Sequence, residues 1–321
     1  MRRDISLIIV SYNTRALTLE CLRSVFANVH DITFEIILID NASADGSGES
    51  IQQEFPQVRL VKSTRNLGFG NACNLAAAEA SGEFLLLLNP DTIVLGDSIQ
   101  KLHAFAESTP EAGIWGGRTV FPDGRLNLQS CWRKPTVWRQ FCRTFGLTAL
   151  FPNSPIFSSE LYGGWNRDTV RPVDIVSGGF LLIRKNLWEK LRGFETRLFM
   201  YGEDVDLCLR AQALGCRPLI NPEATIIHYG GASETVHGKK LINILSAQLF
   251  VLRRHWNPVQ RLVGIPLFVL LPYTRFLGSW VLLHVFGRPS YGELHRAWST
   301  AWRYRNIWLN GEFVQKVPGS D

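Results

Sequence analysis

The six cysteines include no CxxC pair, so neither a redox dithiol nor a paired metal knuckle is read from them, and each is expected to be a structural thiol. Several active-site signatures are also missing. There is no GxxxxGK[ST] phosphate loop, no GxSxG nucleophile elbow and no HExxH helix. The glycines of Asn66-Leu67-Gly68-Phe69-Gly70-Asn71 lack GxGxxG spacing, which excludes a Rossmann dehydrogenase. Near the start, the apolar run covers only Leu7 to Val10, shorter than a signal peptide needs, so the expectation is a cytosolic chain with reduced thiols. No continuous basic run outweighs the aromatic and aliphatic content, and nucleic acid is not an expected partner.

Apolar sequence, by contrast, is plentiful: 46% of the 321 residues are hydrophobic, enough for a large core. The run Phe84-Leu85-Leu86-Leu87-Leu88, between Gly82 and Pro90, is too short for a helix and suits a strand covered on both faces. Asn89-Pro90-Asp91 follows it directly, which puts oxygen ligands at the carboxyl edge of a sheet, where open α/β sheets bind their ligands.

Around this run the chain alternates. Strands are expected at Ile5 to Val10, Phe34 to Ile39 and Val58 to Val61, with helices at Ala16 to Ala27, from the Ser47 region through Phe55, and at Ala72 to Ala80. That order implies right-handed βαβ crossovers and a mostly parallel sheet flanked by helices, and it should gather Ser11, Asp40, Asn66 and Asp91 on one edge. A helix is expected near Asp97 to Ser108 and a strand over Gly113 to Phe121. Residues 131–170 read as a long lid-like loop with a helix near Val137 to Leu147. A strand pattern over Val173 to Ile183 is broken by Ser177-Gly178-Gly179, where a ligand could approach closely. The helix from Glu203 is expected to use Val205, Leu209 and Ala213, and Thr225 to Gly231 reads as a strand delivering His228 to a glycine-rich loop.

Acids supply the candidate chemistry. Asp91 and His228 could share one Mg2+ or Mn2+ ion, with diphosphate oxygens and water completing its shell. Taken alone, Asp91 reads as a turn residue and His228 as a core histidine. Together with Asp40 and the Glu203-Asp204-Asp206 cluster, they point to a site. Three carboxylates exceed what a helix start requires. Asp204 is the candidate general base, Glu203 could orient an acceptor or cap the helix, and Asp206 stands four residues before Arg210, the spacing of a structural ion pair. Asp40 could accept from a nucleobase ring N–H, or serve an Asx-turn.

Six ordered motifs carry a resemblance: Ile8-Ile9-Val10-Ser11-Tyr12-Asn13, Ile39-Asp40-Asn41-Ala42-Ser43-Ala44-Asp45-Gly46, Asn66-Leu67-Gly68-Phe69-Gly70, Asn89-Pro90-Asp91, Ser177-Gly178-Gly179-Phe180 and Gly202-Glu203-Asp204-Val205-Asp206-Leu207. Together they resemble glycosyltransferase family 2, the inverting nucleotide-sugar transferases. Phe199 to Leu207 followed by His228 is similar to its bacterial rhamnosyltransferase-like branch. The resemblance implies a GT-A fold over residues 1–236, with a nucleotide-sugar half to about 125 and an acceptor half beyond. It places Ser11, Asn13, Asp40, Asn66, Gly68, Asn89 and Asp91 at the nucleotide, with Asp40 on uracil or thymine. Asp91 is then the surviving acid of a DxD motif and His228 a ligand of the metal or diphosphate. Asp204 becomes the base, with Glu203, Asp206, Gly178 and Gly179 on the acceptor side. The implied reaction moves L-rhamnose from dTDP-rhamnose onto a polyprenyl-diphosphate-linked saccharide for O-antigen or other cell-surface polysaccharide. A galactosyl or N-acetylglucosaminyl transferase fits the same constellation. Asn89, a neutral amide where the first acid of DxD would stand, leaves a catalytically silent sugar-nucleotide-binding module open.

Residues 237–321 hold eleven Lys/Arg against three acids, and five of the ten tryptophans. Leu262 to Phe286 is long enough to span a bilayer, but Arg275 lies near its centre, Pro266 and Pro272 divide it, and basic residues flank both ends. The expectation is a helical region lying on the cytoplasmic face of the inner membrane, with true spanning and protein-covered helices as alternatives.

Overall fold

The leucine run is a buried strand in the computed structural model, which describes residues 3–230 and 238–314. In chain order the first elements are β1 (Arg3–Ser11), α1 (Arg15–Asn28), β2 (Phe34–Asp40), α2 (Ser47–Glu54), β3 (Arg59–Lys62), α3 (Phe69–Ala78), β4 (Gly82–Leu88), β5 (Thr92–Val94), α4 (Ser98–Ser108) and β6 (Ile114–Val120). Then come β7 (Cys131–Trp132), α5 (Val137–Thr144), α6 (Leu147–Leu150), β8 (Arg171–Pro172), β9 (Ile175–Val176), β10 (Phe180–Arg184), α7 (Lys185–Leu191), α8 (Glu203–Ala213) and β11 (Leu219–His228). Four helices close the chain: α9 (Gly238–His255), α10 (Pro258–His284), α11 (Gly292–Arg303) and α12 (Arg305–Leu309). Two compact units result, one of Met1–Arg133, Trp165–Phe199 and Glu203–Ser233, the other of Lys134–Gly164, Met200–Gly202 and Glu234–Asp321. The expected boundary at 236 lies outside the described residues, as does Gly231.

The first unit is built on a nine-stranded sheet of order β3-β2-β1-β4-β10-β6-β11-β5, with β8 paired to β11. Strands β1, β2, β3, β4, β6 and β11 run one way, and β5, β8 and β10 the other. Along β4 alternate side chains face opposite layers, and Leu85, Leu86 and Leu87 are all fully buried. One layer joins Leu86 and Leu88 to Leu22 and Val25 of α1, Ile51 of α2 and Leu102 of α4. The small residues of α3 cover the other face at β1 and β2. Each buried leucine contributes about 1.5–3 kcal/mol, so this layer does much to hold the sheet on whose edge the site residues stand.

Several expectations need correction. Helix α8 buries Glu203, Leu207 and Ala211, with Asp206 and Cys208 beside them, rather than Val205, Leu209 and Ala213. Both series have four-residue spacing, and a carboxylate at the head of the buried stripe disguises it. The stretch 131–170 is more ordered than a loop, carrying β7, α5 and α6, and α5 ends at Thr144, short of Leu147.

In the second unit, α10 runs unbroken through Pro266 and Pro272. Each interior proline costs about 3 kcal/mol, offset here by packing. Phe268 of α10 lies in a core with Leu249, Trp256 and Trp308, and Gly264 lets the Trp256 ring lie against the helix, where a Cβ would stand 2.1 Å from it.

Candidate active site

Register brings the site together. Ser11 ends β1 opposite Asp40, and Asp40 ends β2 opposite Lys62. Leu88 ends β4 opposite Phe180, the start of the reversed strand β10, so Gly178-Gly179 reaches the same edge as Asn89. At the end of β11, His228 lies opposite Thr92, just after Asp91.

On the β1–β2 side the polar residues first secure the loops. Ser11 is fully buried and its hydroxyl meets Thr14 and Thr18, so this side chain is spent on the start of α1. Asn13, at φ 53°, accepts from the Ala44 N–H at 2.8 Å. Asp40 Oδ1 accepts from the Ser43 N–H at 3.0 Å, three residues on rather than the two of an Asx-turn, and Oδ2 faces Gly48, where a Cβ would come within 2.7 Å of it. Asn41, which sequence reasoning left without a role, joins two loops: it accepts from the Leu67 N–H and donates to Asn66 Oδ1. Asn66 Oδ1 also accepts from the Gly68 N–H. Gly68 sits at φ +79°, and a Cβ there would stand 2.0 Å from the Phe199 carbonyl oxygen, which accepts from the Phe69 N–H. Lys62, also unassigned from sequence, pairs with Glu49 at 2.7 Å beside Asp40.

At the β4–β11 side, His228 Nε2 lies 3.2 Å from Asp91 Oδ1 and 3.3 Å from Asn89 Nδ2. With its proton on Nε2, the ring donates to Asp91. Without it, an imidazole lone pair and a carboxylate oxygen face one another at a separation close to the roughly 3 Å between adjacent ligands of a cation with bonds of about 2.1 Å. The pair therefore fits a divalent cation as two of its ligands. Among the described residues no cluster of three or more His, Cys, Asp or Glu side chains supplies a complete cage. Gly179 keeps the space open, since a Cβ there would stand 3.1 Å from Asn89 Nδ2 and 3.4 Å from His228 Cε1.

The head of α8 holds the remaining acids. Asp204 Oδ2 accepts from the Gly178 N–H at 3.2 Å and Oδ1 from the Val205 N–H at 2.8 Å. Burial raises its pKa, and those two N–H groups oppose the rise. Glu203 is buried, its Oε2 has no hydrogen-bond partner, and burial together with the charge on Asp204 pushes its carboxyl up to about 8. Asp206 is fully buried and engaged by Arg210 at 2.7 Å, while the same guanidinium donates to the Leu191 and Gly193 carbonyls. It braces α8 against the end of α7.

A mixed sheet whose reversed strand β10 brings a glycine turn to the carboxyl edge, an acid and a histidine side by side there, and a sheltered aspartate held by that turn define a GT-A glycosyltransferase scaffold. The family model for glycosyl transferase family 2 matches residues 6–165, and the chain belongs to that family. Over 205 residues it is 31% identical to the N-acetylglucosaminyl-diphospho-decaprenol L-rhamnosyltransferase of Mycobacterium tuberculosis, covering 60% of this chain and 66% of that protein. It is 32% identical to rhamnosyltransferase WbbL of Escherichia coli K12, covering 50% of this chain and 61% of that protein. The chain thus spans under two thirds of the length of these relatives. Among solved structures, the mannosyltransferase PcManGT of Pyrobaculum calidifontis, in complex with GDP-Man and Mn2+, matches with a TM-score of 0.56 at 16% identity, over 96% of this chain and 88% of that one.

Proposed function

We propose that this chain is an inverting, nucleotide-sugar-dependent glycosyltransferase that transfers L-rhamnose from dTDP-rhamnose to a polyprenyl-diphosphate-linked saccharide during cell-surface polysaccharide synthesis. The observation that carries the reading is Asp204, sheltered and held on the Gly178 N–H at the edge that also bears Asp91 and His228. Rhamnose as the transferred sugar follows the two rhamnosyltransferase relatives, and the lipid-linked acceptor follows the mycobacterial one, which acts on a diphospho-decaprenol-linked sugar.

Each residue then has a task. Asp40, with Oδ1 fixed by Ser43, offers Oδ2 to the ring N–H of thymine or uracil. Asn13, Asn66 and Gly68 shape the loops around the nucleotide, Ser11 anchors α1 beneath them, and Asn89 orients the His228 ring. Asp91 and His228 would hold a divalent cation, Mg2+ or Mn2+, which when bound neutralises charge on the diphosphate. Asp204 takes the proton of the acceptor hydroxyl as its oxygen forms a bond to the anomeric carbon and the bond from that carbon to the diphosphate oxygen breaks. One displacement inverts the anomeric centre. Gly178 and Gly179 leave room for the reacting sugar, Glu203 lies against the base as a neutral neighbour, and Asp206 positions the helix through Arg210.

In this reading residues 1–125 serve the donor, 126–236 the acceptor, and 237–321 bring the enzyme to the cytoplasmic face of the inner membrane as a peripheral protein. The deciding experiment is thermal stabilisation across a panel of nucleotide sugars, followed by turnover with the stabilising donor. A larger shift with dTDP-rhamnose than with UDP-galactose or UDP-N-acetylglucosamine, and an inverted product, are expected. Preference for a UDP-hexose would replace the donor assignment, and binding without transfer would reject the catalytic one.

A further inference from the structure

Residues 131–151 contain Arg133, Lys134, Arg139 and Arg143 and no Asp or Glu. In the second unit this stretch exposes Trp138 (47%), Phe141 (36%), Phe145 (49%), Leu150 (70%) and Phe151 (48%), and Ile156 follows at 59%. Two rings of α5 and that of Phe145, which follows it directly, form a continuous row, with centroids 5.6 Å apart between Trp138 and Phe141 and 4.7 Å between Phe141 and Phe145. Single exposed apolar residues need no explanation, but a contiguous aromatic row in an acid-free, basic segment marks an interaction surface.

This row is joined to α10. The Thr144 hydroxyl donates to the Leu267 carbonyl and the Thr274 hydroxyl to the Thr144 carbonyl, both at 2.9 Å. The Arg275 guanidinium donates to the Arg143 carbonyl in the last turn of α5, where a helix favours a cation. Arg275, the charge that makes α10 a poor span, is thus used to end another helix. On its own exposed side α10 carries Leu262, Leu277 and Trp280, and no Asp or Glu occurs from 238 to 292.

We propose that α5, α6 and α10 form one surface that lies flat on an anionic bilayer, with the aromatic row at headgroup depth and α10 not crossing. The proposal rests on the peripheral-membrane reading above and names the element, distant in sequence from the C-terminal region, that completes it. Crossing is disfavoured because the middle of α10 is pinned to α5 beside Arg143, which pairs with Glu160 at 3.5 Å, and those groups would enter hydrocarbon. An anionic lipid surface is the occupant because both helices combine exposed aromatic and aliphatic side chains with positive charge alone.

The test is flotation of the full chain with vesicles of phosphatidylglycerol and phosphatidylethanolamine, against phosphatidylcholine alone. Hydrogen exchange is read on the same samples. Preferential binding to the anionic vesicles, release by alkaline carbonate, and new protection at residues 137–151 as well as in α10 are expected. The double variant F141E/F145E should weaken partition by about tenfold or more while leaving nucleotide-sugar stabilisation unchanged. Unchanged partition in that variant without protection at 137–151 overturns the inference alone, as does resistance to carbonate. Protection at 137–151 that appears with rising protein concentration and no vesicles assigns the row to a second copy of the chain and also overturns it. Indifference of the unmodified chain to every vesicle overturns the membrane reading itself, whereas nucleotide-sugar stabilisation reports separately on the catalytic one.

Discussion

The Gly178 N–H holds Asp204 Oδ2 at 3.2 Å, so a turn between two strands fixes the carboxylate at the head of α8. D204N keeps the shape of the side chain and removes the proposed base. It should lower turnover by about 10²–10⁴-fold while donor affinity, read by calorimetry, stays near that of the parent. Parent-like turnover in D204N would remove Asp204 from the reaction.

Glu203 gives the site a pH signature. Burial beside the charge of Asp204 raises its folded-state pKa to about 8, well above the 4.5 of an ordinary glutamate. The stability attached to its protonated form is therefore fully present below about 4.5 and is lost as pH rises through about 8. E203Q removes this dependence. Its melting temperature relative to the parent should climb between pH 5 and 8, and a constant difference across that range would show that Glu203 ionises normally.

Asp91 and His228 predict a graded response to metal. D91A should abolish activation by Mn2+ and weaken donor binding, whereas H228A, which keeps the carboxylate, should raise the Mn2+ concentration needed for half-activation by about tenfold. Titration of activity with Mn2+ after chelation makes the measurement. Identical metal curves for H228A and the parent would leave His228 outside the ligand set.

Gly68 carries a stability prediction. In G68A the new methyl meets the Phe199 carbonyl in a left-handed backbone, so the loop must move and the Phe69–Phe199 bond is lost. The expected cost is about 3 kcal/mol, measured by denaturant unfolding. A cost below about 1 kcal/mol would show that the loop yields freely.

What the sequence disclosed depended on periodicity. The βαβ alternation and the edge bearing Asp40, Asn89 and Asp91 were legible because β-branched and leucine runs alternate with helices and because each polar loop follows a strand. Strands β5 and β8 were not, being only three and two residues long. The buried stripe of α8 was hidden because Glu203 heads it, and the pairing of Arg275 with the α5 carbonyl lies 132 positions away in sequence, beyond the reach of any local pattern. The Asp206–Arg210 spacing, a purely local signal, did correspond to an ion pair in the structure.

The reversed strand β10 also sets an order of assembly. Strands β1 to β4 can pair as soon as residue 88 is made, but β6 meets β4 only through β10, which arrives at Phe180–Arg184. His228 comes later still. During synthesis the half-sheet of β1 to β4 is thus exposed along one edge of β4 until β10 is made, and the Asp91–His228 pair closes near the end of translation of this unit. Long-range pairing of this kind is slow, and an unpaired strand edge favours aggregation in the interval. Slow maturation of newly made chains is therefore built into the same strand order that puts Gly178 against Asp204.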